Sequence, residues 1–380
     1  MSKAIDKRYK NAVQVINKAG GTPVPVTDNT IAILKHIVEE EHLDFIMAFK
    51  TKRSQTMEQL KESTGLSEDE INTHVNALAK KGLIMNQSSR SGLMIFRLMP
   101  FVNVGVYEYT FMKKLDYNEW EKELAQLYKK LNDESAGRML ANYEAIVNQY
   151  LPTMRPIDRT VPYTENFETG DPIDIVIDQE IEVPEEKIIS TQNVEEIIQK
   201  FDEIAVGHCY CRHFRDLIGE SCKQTDLREN CFTFGKSARY TAEQGFARMI
   251  SKEEALEILK KSEKDGLVHK AYHPNMDFNR EEDSICNCCS DCCGQAKNIT
   301  SNLSNFVAHV DLDLCTGCGT CVEKCYSGAK ELNDEGKAET LEERCIGCGI
   351  CAAFCPEGAI SLVEKRRVVR LAPPRSNFER

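Results

Sequence analysis

Cysteine carries most of the potential chemistry in this chain of 380 residues, and all 17 cysteines lie at or after Cys209. The stretch ICNCCSDCCG, residues 285–294, places five thiols within eight residues. One buried cysteine can act as a small apolar side chain, but five crowded thiols oxidise readily unless something occupies them. The stretch therefore predicts metal binding or redox chemistry.

The cellular compartment decides what so many thiols do. The segment MSKAIDKRYK is charged and lacks the apolar core of a secretion signal, so we expect a cytoplasmic protein. In that reducing compartment, cysteines bind metals more often than they form disulfides. We also expect no membrane span, because the longest apolar candidate, residues 96–112, is interrupted by Arg97, Pro100 and Glu108.

Two segments in the last third of the chain repeat one cysteine spacing. They are CTGCGTCVEKC, residues 315–325, and CIGCGICAAFCP, residues 345–356. The pattern C-x2-C-x2-C-x3-C suits 4Fe-4S clusters, because three closely spaced thiolates wrap one cluster while the fourth points toward its neighbour. A zinc ribbon, the alternative, leaves half of these eight cysteines without a role.

The repeat resembles bacterial-type ferredoxins that carry two 4Fe-4S clusters, over about residues 306–364. The resemblance implies crossed ligand sets. One set is Cys315, Cys318, Cys321 and Cys355, and the other is Cys345, Cys348, Cys351 and Cys325. Pro356 matches the proline that usually follows the fourth cysteine, whereas Tyr326 departs from it in the first half of the repeat.

Nine further cysteines precede the repeat and are candidate metal ligands. They are Cys209, Cys211, Cys222, Cys231, Cys286, Cys288, Cys289, Cys292 and Cys293. On a helical turn, Cys288 would lie over Cys292 and Cys289 over Cys293, so one segment could face two centres from two sides. We therefore predict at least one further 4Fe-4S cluster, shared between the later group and Cys209 to Cys231.

Two alternatives stay open for these nine cysteines. A structural zinc site is one, because cysteine with nearby histidine is also zinc chemistry. The other rests on CCG at 292–294, which resembles part of the CCG motif of heterodisulfide-reductase subunits with catalytic noncubane clusters. His269 and His273 are left without an assigned role.

The elements around these cysteines predict a mixed α/β domain. Ile204 to Val206 is typical of a buried strand that leads into the first cysteines. The segment SKEEALEILKKSEKDG predicts a helix that begins with a capping box of Ser251 and Glu254 and ends at Gly266.

The cysteine-free part predicts two helices followed by a hairpin. One helix runs from a Thr56 cap to Gly65, and the next from a capping box of Ser67 and Glu70 to Gly82. Strands around Leu83–Met85 and Leu93–Leu98 follow. This order resembles winged-helix domains of the MarR or ArsR type.

In those families the second helix contacts DNA. Here it opens with the acidic residues 68–70, which repel phosphate, and only Lys80, Lys81 and Arg90 counter them. The net charge of −12 also makes the chain a poor general nucleic-acid binder. We therefore prefer a docking or dimerising role without nucleic acid, and DNA binding is the alternative.

The fold class predicted is α+β and multidomain. Its parts are a winged-helix-like domain at 1–110, a helical bridge and connecting segment at 111–190, a cysteine-rich mixed α/β domain at 191–305, a ferredoxin-like two-cluster domain at 306–364 and a basic tail at 365–380. The bridge is expected to hold two helices, Trp120–Leu131 and Ala136–Tyr150, separated by the polar residues 132–134. A homodimer through this arm is one option.

The order of these parts resembles 4Fe-4S proteins of anaerobic microbes that pass electrons to or from larger oxidoreductases. We expect a cytoplasmic relay of single electrons between a redox donor, with a flavoprotein as one option, and such a reductase. Two alternatives remain: a redox-sensing iron–sulfur transcription regulator, and a reductase subunit whose middle cluster is catalytic. A self-contained NAD-dependent enzyme is not expected, because no Rossmann glycine fingerprint is present.

Overall fold

The computed structural model describes residues 2–19, 24–89, 91–102, 104–176, 193–294 and 298–372. Arg90, the part of the predicted connecting segment from residue 177 to 190 and the end of the predicted basic tail lie outside these ranges. The helices are α1 (Ser2–Asn17), α2 (Asp28–Ile37), α3 (Leu43–Met47), α4 (Met57–Thr64), α5 (Glu68–Ala79), α6 (Val106–Met112), α7 (Glu119–Ala141), α8 (Tyr143–Ala145), α9 (Val194–Lys200), α10 (Tyr210–Leu217), α11 (Gly235–Glu243), α12 (Lys252–Lys264), α13 (Thr320–Glu323) and α14 (Ile350–Ala353).

The strands are β1 (Ser54–Gln55), β2 (Ile84–Ser88), β3 (Met94–Leu98), β4 (Asp158–Val161), β5 (Ile175–Val176), β6 (Ile204–His208), β7 (Glu229–Phe234), β8 (Ala247–Ile250), β9 (Val268–Tyr272), β10 (Ser284–Cys288), β11 (Thr300–Val310), β12 (Lys330–Leu332), β13 (Ala338–Thr340) and β14 (Ile360–Leu371). None of the described helices is long and apolar enough to cross a membrane.

The chain folds into two compact units, and neither is continuous in sequence. The first comprises residues 1–137, 207–221 and 236–249, and the second comprises residues 138–206, 222–235 and 250–380. The predicted cysteine-rich domain, residues 191–305, is therefore divided between the units.

Helix α4 of the first unit begins and ends where the sequence predicts, whereas α5 begins at its predicted cap but ends at Ala79, before the predicted Gly82. The Thr56 hydroxyl accepts from the Gln59 amide, and Gly65 ends α4 with a positive φ of 71°. Ser67 and Glu70 form the predicted capping box of α5. With the antiparallel sheet β1-β3-β2 they give the helix, helix and hairpin order expected, and the winged-helix assignment itself stays a prediction.

The exposed start of α5 leads to a prediction about DNA. Glu68, Asp69 and Glu70 are all exposed, so duplex DNA should bind weakly at physiological salt. The E68K/D69K double substitution should raise affinity for a random duplex, measured by fluorescence anisotropy. The matched change E119K/E123K, at two exposed positions of α7, is the control. Selection of one strongly bound consensus sequence by the wild-type protein would contradict this expectation.

The predicted break between two bridging helices is wrong. Helix α7 runs without interruption from Glu119 to Ala141, through the polar residues 132–134. Its core-facing stripe continues to the buried Leu131, and Lys129 pairs with Asp133 at 2.8 Å, one helical turn away. Polar residues at i,i+4 spacing support a helix as readily as they mark its end.

In the second unit, strands β5-β14-β11-β4-β9-β10-β7-β6 are neighbours in one mixed sheet, and β12 and β13 form a separate antiparallel pair. The long antiparallel pair β11 and β14 forms the part that carries the ferredoxin-like repeat. Both strands extend beyond the predicted domain limits of 306 and 364. Residues 365–371 of the predicted basic tail thus belong to β14.

Successive side chains along the central strands point alternately to the two faces of this sheet. Phe232 of β7, Ala271 of β9 and Ile285 of β10 lie on one face and share an apolar core. Residues one position away point to the other face. On that second face, Cys286 of β10 stands directly between Cys231 of β7 and Lys270 of β9. Strand register therefore determines which thiols come together.

Candidate metal centres

The first half of the repeat forms a cavity lined by cysteines. Cys315, Cys318 and Cys321 line it together with Cys355 from the second half of the repeat. Gly319 adopts a left-handed conformation, with φ of 80°, and starts α13, which presents Cys321. The crossed ligand sets require this grouping, in which the fourth cysteine comes from the other half.

The second half forms the matching group. Cys348 lies near Cys351, Cys325 and Cys345. Burial is the main cause that raises the pKa of Cys348 well above its ordinary value, and the charges of these three thiols raise it further. Burial likewise raises the pKa of Cys351 to about 12. Such buried thiols ionise only at a high cost when no cation is near. They are therefore suited to bind a metal, because a positive metal core stabilises the thiolate form.

Backbone amides point at the sulfurs of both groups. The Ala329 amide donates to Cys325 Sγ at 3.1 Å, the Ala338 amide to Cys315 Sγ at 3.4 Å and the Ala308 amide to Cys345 Sγ at 3.5 Å. Such donors stabilise the charge that thiolate ligands carry in an iron–sulfur cluster. The residues present therefore fit two 4Fe-4S clusters, and the individual ligand roles stay a prediction.

Two glycines of the repeat sit where a side chain would not fit. A Cβ atom at Gly347, whose φ is +65°, would lie 2.3 Å from the Phe306 carbonyl oxygen on β11. At Gly317, with φ of +74°, it would lie 2.2 Å from the Gly336 carbonyl oxygen. Gly319 shares the positive φ but has open space around it.

Because the space around Gly347 and Gly319 differs, the same substitution to alanine is predicted to have different effects at the two positions. Gly347→Ala should displace β11 or the cysteine loop and lower the iron content and the melting temperature of the protein. Gly319→Ala should keep its iron and cost only the strain of a left-handed alanine, about 1–2 kcal/mol. The measurement is iron per chain with thermal unfolding under anaerobic conditions. Equal losses in the two variants would show that the close carbonyl contact is unimportant.

Lys330 is a buried cation between the two groups. Its charge acts on Cys321 of the first group and on Cys351 of the second, where it opposes the rise in their pKa values that burial causes. Its Nζ donates to Thr340 Oγ1 at 2.6 Å, which fixes the ammonium group in place. One side chain thus offsets negative charge on both sets of thiols.

The comparison with known proteins matches this region. Residues 314–360 match the family model of the 4Fe-4S dicluster domain. A curated relative, a probable ferredoxin of Methanosarcina thermophila, is 58% identical over 33 residues. That stretch is 9% of this chain and 57% of the relative's length, so the chain spans little more than half of the relative it matches. No solved structure matches.

The chain thus carries a ferredoxin-type 4Fe-4S domain within a mixed α/β structure. The domain limits predicted for the other parts, and the winged-helix assignment, stay predictions.

A separate group of thiols lies before the repeat. The sulfur atoms of Cys222, Cys289 and Cys292 lie within 4.8 Å of one another, and all three residues are buried. Cys222 Sγ is 3.7 Å from Cys289 Sγ, which is 2.8 Å from Cys292 Sγ. Hydrogen bonding with the other two thiols lowers the pKa of Cys222 well below its ordinary value. We call this group the Cys222 site.

The Cys222 site joins a loop to a turn. The Lys223 amide donates to Asp291 Oδ2 at 2.7 Å, and the Ser290 amide donates to Gln224 Oε1 at 3.2 Å. The Cys292 amide donates to Cys289 Sγ at 3.4 Å, as amides do to metal-bound thiolates. The three thiols are therefore held together by polar contacts on both sides.

The remaining thiols of the stretch at 285–294 face elsewhere. Cys288 is hydrogen-bonded to Cys286 and Cys293, and these contacts and burial raise its pKa well above the ordinary value. The predicted helical turn, which pairs Cys288 with Cys292 and Cys289 with Cys293, is wrong, because β10 runs to Cys288 and a turn follows. An extended strand directs Cys286 and Cys288 to one face, and the turn then brings Cys292 back to Cys289.

Two further candidate cysteines and the two unassigned histidines lie on other elements of the chain. Cys209 directly precedes α10 and Cys211 is in its first turn, in the first unit, so their predicted sharing of a cluster with the later cysteines stays a prediction. His269 Nδ1 contacts Asn287 Oδ1 at 2.6 Å, and His273 Nδ1 contacts the Arg280 carbonyl oxygen at 2.7 Å. Both histidines are thus engaged by ordinary protein groups.

The sequence analysis missed Lys270 and Asp158. Lys270 Nζ and Asp158 Oδ2 form a fully buried ion pair at 3.0 Å. Burial opposes the charged form of Lys270, but Asp158, Cys288 and Cys293 raise its pKa above the usual value. The sequence signal was a lysine in the short segment VHKAY, beside Ala271 and close to Val268.

Proposed function

We propose that this protein transfers single electrons between redox partner proteins through two 4Fe-4S clusters in its C-terminal repeat. The observation that carries the proposal is that Cys355 joins Cys315, Cys318 and Cys321 around one cavity, inside the segment that matches the dicluster family. When bound, each cluster accepts and releases one electron. A donor such as a flavoprotein and a larger oxidoreductase are the proposed partners.

The surface beside the first group of cysteines supports electron exchange there. Cys318 is exposed, whereas Cys348 and Cys351 of the second group are not. Leu312 and Leu314, just before Cys315, are about half exposed, at 49% and 52%. An exposed ligand and exposed apolar side chains in the same loop suit a small, weak docking surface, as transient redox complexes use.

We assign a single metal ion, zinc, to the Cys222 site. Zinc–thiolate bonds of about 2.3 Å in a tetrahedral shell place neighbouring sulfurs roughly 3.8 Å apart. The 3.7 Å separation of the Cys222 and Cys289 sulfurs matches that edge, whereas the Cys289 and Cys292 sulfurs, 2.8 Å apart, would move apart by about 1 Å to bind the same ion. A 4Fe-4S cluster binds each thiolate to a different iron and keeps the sulfurs farther apart. Zinc here would hold the loop against the turn and carry no electrons.

Electron delivery to a soluble acceptor tests the proposed function. The full chain is purified anaerobically, reduced with dithionite, desalted and mixed with oxidised cytochrome c, whose basic surface complements an acidic donor. The reduced protein should reduce about one cytochrome c per cluster, and increasing salt should slow the reaction. A protein that takes up no electrons from dithionite would overturn the proposal.

A further inference from the structure

The second face of the central sheet brings four cysteines of the second unit together. Cys231 and Cys286 are direct partners in the antiparallel pair β7 and β10, so their side chains stand side by side on one face. Cys288 lies two residues further along β10 and thus on the same face. Cys293 closes the group through its hydrogen bond with Cys288. We call these four residues the sheet-face site.

The sheet-face site is screened from solvent. Cys231, Cys288 and Cys293 are buried, and Cys286 is partly buried. Cys288 and Cys293 share an apolar cluster with residues of the ferredoxin-like repeat. Four crowded thiols in such surroundings would remain vulnerable to oxidation unless a metal group occupied them.

A cation and a hydroxyl donor are directed at these sulfurs. Lys270, opposite Cys286 on β9, places its charge near Cys288 and Cys293. Tyr326 is buried, and its hydroxyl donates to Cys293 Sγ at 3.5 Å. The Lys270 ammonium lies 5.4 Å from the centre of the Tyr326 ring. A cation and a hydrogen-bond donor beside thiolates are the means by which a protein raises the reduction potential of a cluster.

Tyr326 also explains the departure of the repeat from its expected pattern. It directly follows Cys325, at the position where the second half of the repeat has Pro356. Proline has no group that could donate a hydrogen bond to a sulfur, whereas tyrosine reaches from one candidate ligand, Cys325, to another, Cys293. The substitution thus joins the repeat to the sheet-face site.

We infer that Cys231, Cys286, Cys288 and Cys293 bind a third iron–sulfur cluster, a 4Fe-4S cluster, which Tyr326 connects to the repeat and Lys270 balances in charge. This inference deepens the proposed function and rests on it, because it adds a redox centre beside the two in the repeat. The ligand class is iron with inorganic sulfide, and zinc is the competing outcome of the test.

Metal content of the full chain tests the ligands. Relative to wild type, C286S/C288S should lose about four iron atoms and an equal amount of acid-labile sulfide, with zinc unchanged. C222S/C289S is the matched control and should keep its iron. Loss of zinc with unchanged iron in C286S/C288S, or no change in either metal, would overturn the inference.

A conservative variant tests the same inference without removing a ligand. Tyr326→Phe should keep its iron while the midpoint potential of one electron-paramagnetic-resonance signal becomes more negative. Tyr240→Phe, which removes a buried hydroxyl that donates to the Ile84 carbonyl, is the control and should shift no signal. Unshifted potentials in Tyr326→Phe would overturn the connection.

Failure of the proposed function and failure of the third-cluster inference give different experimental results. If the wild-type protein shows no reducible cluster at all, the proposed function fails. If it shows the two clusters of the repeat and C286S/C288S retains all its iron, only the third cluster is disproved.

Discussion

The C222S/C289S variant is expected to lose about one zinc ion per chain, to keep its iron and to unfold at a lower temperature. Cys222 and Cys289 are buried and 3.7 Å apart, and they join a loop to a turn. Without them the remaining thiol cannot hold the ion. Structural zinc contributes on the order of 10 kcal/mol in small domains, so even a fraction of that effect would be easily measured.

Metal analysis and thermal unfolding of anaerobic samples would check this result. The matched control is C286S/C288S, which alters thiols of the same short stretch on the other side and should keep its zinc. A loss of about four iron atoms from C222S/C289S, with no zinc in the wild-type protein, would show that the Cys222 site holds a cluster instead.

Lys330→Met is expected to make the reduction potentials of both clusters in the repeat more negative. Lys330 is buried and acts on thiols of both groups, so its positive charge favours the reduced, more negative form of each cluster. A unit charge about 8 Å away, at an effective dielectric constant of about 20, contributes roughly 2 kcal/mol, which corresponds to a shift of roughly 50–100 mV for one electron. Potentiometric titration followed by electron paramagnetic resonance would measure the shift.

The control is Lys365→Met, which removes an exposed lysine paired with Glu342. Solvent and salt screen that charge, so neither potential should move by a measurable amount. If Lys330→Met shifted the reduction potential of only one cluster, this result would contradict the position of Lys330 between the two groups of cysteines.

The repeat could be predicted from the sequence because its ligands are close in sequence. Cys315, Cys318 and Cys321 lie within seven residues, and their spacing alone restricts the geometry. The caps of α4 and α5 were predictable for the same reason, since each cap involves residues only three positions apart.

The division of the middle cysteines could not be predicted, because it depends on long-range strand register. Cys286 meets Cys231, 55 residues earlier, only through the pairing of β10 with β7. The assumed helical turn assigned the wrong partners to Cys288 and Cys289, although it correctly suggested that the stretch faces two directions. A change of register by one residue would exchange the two faces.

Buried polar residues were the other feature that local patterns concealed. Lys270 lies in the short strand VHKAY, and its partner Asp158 is 112 residues away. Tyr326 was noticed only as a departure from proline, since its contact with Cys293 requires the fold to bring two distant segments together.

Iron, acid-labile sulfide and zinc, counted per chain in the same anaerobically purified sample, test the central claim most directly. The account predicts about eight iron atoms from the repeat, about four more from the sheet-face site and about one zinc, with sulfide equal to iron. A colourless protein that contains zinc and neither iron nor sulfide would contradict the claim that this chain carries electrons through iron–sulfur clusters.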